Sequence, residues 1–124
     1  NPNLLVWHKQ LWCIDHGAAL YFHHSWPDSG RDAIGNATAD DGAQRFAAQP
    51  YAFDKHIMSA YTAGLADVDT RLSSQVSATL LEEVVAEVPD AWLESPVPSA
   101  VRSRYVEYLL ARLEAPRHWL PEVA

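Results

Sequence analysis

The chain has little cysteine, methionine, glycine or positive charge, and each shortage excludes something. A single cysteine, Cys13, makes an internal disulfide impossible. Nothing else in the sequence points to secretion, so the expected compartment is cytoplasmic. The nine Lys and Arg are outnumbered by sixteen Asp and Glu, giving a net charge of −7 with no basic run. That pattern excludes a phosphate-binding nucleic-acid surface, which needs clustered cations. It also excludes docking on an anionic membrane. No apolar run approaches the roughly 20 residues needed to span a bilayer, and no signal-peptide pattern is present. The one methionine, Met58, lies mid-chain and the first residue is Asn1. From that start the chain is expected to be a fragment of a longer protein. What remains is ample core material. Of 124 residues, 48% are hydrophobic and five are Trp, which fits one folded domain and not a disordered tail.

Asn3 to His8 and Leu11 to Asp15 are short segments rich in apolar and aromatic residues, split by the polar pair Lys9-Gln10. They predict a β-hairpin turning at Lys9-Gln10. Residues 27–49 hold Pro27, Gly30, Gly35 and Gly42 among small polar residues. They predict a long loop with one helical turn near Ala43 to Ala47. Asp54 is a suitable cap for a helix ending at Gly64, with Ile57, Met58, Tyr61 and Leu65 on one side. Ser77 predicts the start of a second helix, with Val76 and Leu81 as a staple across its start. Its apolar stripe is Leu80, Leu81, Val84, Val85 and Val88, and Pro89 stops it. A third helix is expected from near Ser99 to Pro116. There Val101, Tyr105, Val106, Leu109, Leu110 and Leu113 face a core, while Arg102, Arg104, Glu107, Arg112 and Glu114 point outward. The expected fold is α+β and mostly α: a short N-terminal β-hairpin followed by a helical bundle. It forms one domain over 1–124, divided into 1–26, a loop at 27–53 and a bundle at 54–124.

The chemistry is expected at the open end of the hairpin. Antiparallel pairing brings its outer ends together, so Asn3 and Asp15 fall side by side. Asp15-His16-Gly17 predicts a tight turn that leaves the Asp15 carboxylate exposed at the sheet edge. A carboxylate and an amide oxygen on a rigid hairpin suit Mg²⁺, which prefers hard oxygen ligands and retains water.

The segments Asn1-Pro2-Asn3-Leu4-Leu5-Val6-Trp7 and Leu11-Trp12-Cys13-Ile14-Asp15-His16-Gly17 resemble the bacterial HipA-like kinase family, itself similar to phosphoinositide kinases. Glu82 to Leu93 and Tyr105 to Leu113 resemble later parts of the same proteins. The resemblance implies a kinase C-lobe fragment and an ATP- and Mg²⁺-dependent phosphotransferase. Asp15 would be the principal metal ligand and either Asn3 or Asn1 the second. The catalytic Asp of kinases lies about five positions before the metal Asn. Counting back from Asn3 or Asn1 runs off the chain. There is no Gly-rich phosphate loop and no Val-Ala-Ile-Lys-like strand. The chain alone is therefore expected not to transfer phosphate, and its first expected partner is the N-terminal part of its own parent protein.

His16, His23 and His24 raise a zinc reading, but their spacing fits no zinc motif. A capping or packing role suits His23 and His24 better. Cys13, between Trp12 and Ile14, is expected to be a buried core thiol. Glu82, Glu83 and Glu87 read as a solvated helix face. The competing functional reading is a helical interaction or regulatory domain. Its functional part would be the bundle from Asp54 to Leu120, with an exposed apolar face driving self-association.

Overall fold

A computed structural model describes residues 3–20, 46–114, 117 and 119–121. The described chain is α+β: a two-stranded antiparallel hairpin, then three helices with short 3₁₀ turns between them. The strands are β1, Leu4–Trp7, and β2, Gln10–Cys13. The helices are α1, Leu65–Ser73; α2, Ala78–Ala86; and α3, Pro98–Leu113. Most of the expected 27–49 loop lies outside the described residues. Its expected helical turn survives at Phe46 and Ala47.

The hairpin forms with its turn one residue earlier than expected. His8 and Lys9 are the turn, both left-handed with φ 50° and 62°, and Trp7 pairs with Gln10. Two consecutive positive φ values mark the two-residue turn that follows the right-handed twist of the strands. The resulting register sets Leu5 opposite Trp12 and Val6 opposite Leu11, two apolar cross-strand pairs.

The expected helix from Asp54 to Gly64 does not form. The segment is a 3₁₀ turn, Phe53–Lys55, followed by turns in which Ser59 N–H donates to the His56 carbonyl and Tyr61 N–H to the Met58 carbonyl. Its expected apolar stripe is only partly covered: Met58 and Leu65 are half-buried, but Ile57 is 64% and Tyr61 75% exposed. A helix this short depends on a packed face, and without one it is not favoured. Gly64 does adopt the left-handed conformation, at φ 77°, but it precedes α1 instead of ending a helix.

The second helix starts where expected. The Ser77 hydroxyl accepts from Leu80 N–H at 3.2 Å, and the helix ends at Ala86, three residues before Pro89. Its buried stripe is narrower than predicted. Leu81, Val85 and Val88 are half-buried, while Leu80 and Val84 are exposed. Only one edge of α2 meets α3, so an i, i+4, i+7 row is all that is covered.

The core gathers on α3. Tyr108, 5% exposed, packs with Ala47, and Phe46, Tyr105, Leu109 and Ala111 surround the pair. Leu93 and Val106 are buried as well. Two α3 arginines expected to point outward instead hold the fold. Arg102 donates through Nε to the Val85 carbonyl at 3.1 Å and through an Nη to the Val88 carbonyl at 2.5 Å and the Asp90 carboxylate at 2.6 Å. The end of α2 leaves carbonyls without helical partners, and a guanidinium satisfies several at once. Arg112 donates to the Ala47 carbonyl at 3.5 Å and lies over the Trp119 ring at 4.5 Å. Farther along, Arg117 pairs with Asp69 and ties α1 to the segment after α3. Among the described residues no helix is long and apolar enough to cross a membrane.

Candidate metal-binding end of the hairpin

The hairpin brings Asn3 and Asp15 together through the backbone. With Leu4 opposite Cys13, Ile14 N–H donates to the Asn3 carbonyl at 2.9 Å, extending the ladder one step. The Asn3 side-chain amide then donates through Nδ2 to the Asp15 backbone carbonyl at 3.1 Å. That bond turns the amide so that its oxygen is not consumed. Both residues are left-handed, Asn3 at φ 46° and Asp15 at φ 55°. Asn and Asp accept this conformation at lower cost than other non-glycine residues.

The turn after the strand differs from expectation in one respect. Asp15 itself takes the left-handed step, at ψ 63°, ahead of the 3₁₀ turn His16–Ala18. Gly17 does not take it. A Cβ at Gly17 would lie 3.7 Å from an Asp15 carboxylate oxygen, an ordinary contact. The carboxylate therefore lies above Gly17, exposed, and makes no capping bond to the turn.

Two oxygen donors result, one of them charged. Hard oxygens of this kind are the ligands that Mg²⁺ prefers. Among the described residues no three His, Cys, Asp or Glu side chains gather to hold a metal. Asn1, His23 and His24 lie outside the described residues. His16 sits in the 3₁₀ turn, where its carbonyl accepts from Ala19 N–H at 2.9 Å. Cys13 is exposed, not buried. It stands on the same hairpin face as Leu4, Val6 and Leu11, and that face has too little cover to bury a thiol. The opposite face, with Leu5, Trp7 and Trp12, is also exposed: Trp7 is 60% and Trp12 48% accessible.

A second feature was not visible in the sequence. A cavity of about 530 Å³ opens beside the core, walled in part by Phe46, Tyr51, Tyr108, Leu109, Arg112 and Trp119. Its components come from segments more than sixty residues apart, as the bond from Arg112 to Ala47 shows, and no local pattern joins them.

Comparison of the chain with protein-family models, curated proteins and solved structures gives no match.

Proposed function

We propose that the open end of the hairpin is the metal-holding edge of a kinase-type, HipA-like phosphotransferase, with Asp15 as principal Mg²⁺ ligand and Asn3 as the second. The observation that supports this reading is the pairing of the Asn3 amide with the Asp15 backbone at 3.1 Å, which leaves an amide oxygen and an exposed carboxylate at one edge. In kinases an Asn and an Asp hold Mg²⁺ against the phosphates of ATP. The metal would neutralise charge on the transferred group, and these two residues would position it. A catalytic Asp and a phosphate-clamping loop would come from the N-terminal part of the parent protein.

The test is a titration of the chain with Mn²⁺, a paramagnetic stand-in for Mg²⁺, followed by amide NMR. Selective broadening of Asn3 and Asp15 to Gly17, lost in Asp15→Asn, is the expected result. Uniform broadening, or an unchanged pattern in Asp15→Asn, refutes the site.

A second reading, an interaction or regulatory domain with the hairpin in place of the Asp54 to Leu120 bundle as its apolar surface, is supported by the apolar residues exposed on both hairpin faces. Under the first reading the rest of a kinase fold covers these faces. Under the second, another copy of this chain does. Sedimentation across a wide concentration range separates the two. A dimer lost in Trp7→Ser supports self-association, and a monomer throughout removes it.

A further inference from the structure

We propose that the cavity beside Tyr108 is a binding site for a small planar aromatic monocarboxylate, separate from the hairpin edge. Its volume of about 530 Å³ falls within the roughly 300–1,000 Å³ of small-molecule sites. Phe46, Tyr51, Tyr108 and Trp119 give it aromatic walls, which favour offset or edge contacts with a flat ring. The charged element is the Arg112 guanidinium. Neither ion pair among the described residues involves it, although Arg102 and Arg117 each have a carboxylate.

The guanidinium is held in place by three contacts. It lies 4.5 Å from the Trp119 ring centroid and 5.8 Å from that of Tyr108, and Nη1 donates to the Ala47 carbonyl at 3.5 Å. Trp119 is itself fixed, since its indole N–H donates to the Arg112 carbonyl at 2.8 Å. One Nη1 contact leaves further N–H donors on the guanidinium, and a planar donor set matches a carboxylate in bidentate fashion. Arg112 is the only cation in the cavity wall among the described residues. A single positive charge in a chain of net charge −7 suits a singly charged anion over a polyphosphate. The aromatic ring would lie against the walls and its carboxylate on Arg112.

The experiment compares 1-naphthoate with its uncharged counterpart 1-naphthalenemethanol on the full chain. Binding is read from the Arg112 Nε–H and Trp119 indole N–H signals. Naphthoate is expected to shift both saturably and to bind at least about tenfold more tightly than the alcohol, the gain from charge-assisted bonds. Arg112→Met is expected to erase that preference. Equal binding of the two probes, no saturable shift, or a preference that survives Arg112→Met overturns the proposal. Should Arg112→Met not fold, Tyr51→Ala at the exposed wall decides. It should weaken both probes by about threefold or more, and unchanged affinities refute the site. None of these outcomes depends on the metal reading of Asp15.

Discussion

The hairpin and the α2–α3 pair are both strongly apolar, yet they hold together by different means. The hairpin is a local structure. Its ladder, its turn at His8-Lys9 and the Asn3 bond to Asp15 all lie within residues 3–15, and its side chains remain exposed on both faces. The helical pair is tertiary. Arg102 reaches back 17 residues to Val85, and the neighbouring core joins α3 to Ala47. Backbone bonds can shape a segment without burying it. Burial requires a second segment, and only the helical part has one among the described residues.

The largest test of this contrast is Tyr108→Ala. Truncating a buried aromatic leaves a cavity and costs about 3 kcal/mol or more, so urea unfolding should shift far to lower denaturant. Arg102→Met comes next. It removes bonds to two backbone carbonyls and to Asp90, and hydrogen bonds to a charged group contribute roughly 1.5–3 kcal/mol. A loss of that order in the same urea experiment is expected, with Arg102→Lys recovering only part of it because an ammonium lacks the planar donor set. A melt unchanged by Arg102→Met would show that the contact contributes nothing.

Ser77→Ala should cost about 1 kcal/mol, through loss of the cap on α2. Trp7→Ser, in the hairpin, should change global stability by no more than about 0.5 kcal/mol, as expected for an exposed side chain. A large loss there would mean the hairpin is integral to the core, and the contrast would fail. The smallest effect is pH-dependent. Burial raises the Tyr105 phenol above its ordinary value of 10.0. The folded state favours the neutral phenol, so stability is complete below pH 10 and falls as pH rises through the higher folded value. Chemical denaturation of wild type and Tyr105→Phe should agree in pH slope at neutral pH and diverge above pH 10. Parallel slopes at every pH would contradict that burial.

Several elements were legible because their causes are local. Ser77 carries its own cap, and Pro98 presets the first turn of α3, one residue before the expected start. Two short apolar runs split by a polar pair gave the hairpin, and antiparallel pairing gave the meeting of Asn3 with Asp15. Gly64 misled because a left-handed glycine serves before a helix as well as after one. Cys13 misled because an apolar neighbourhood in sequence does not guarantee a covering layer in space.

The sequence by itself determined the hairpin, the helices after Ser77 and near Ser99, and the pairing of Asn3 with Asp15. Those features follow from side chains acting on backbone within a few residues, or across one tight turn. Only the tertiary structure decided that Arg102 and Arg112 point inward, that residues 54–64 are not helical, and that Tyr108 and Trp119 share a cavity wall. Each of these depends on which distant segment arrives to pack or to accept a bond, and no short-range pattern encodes that arrival.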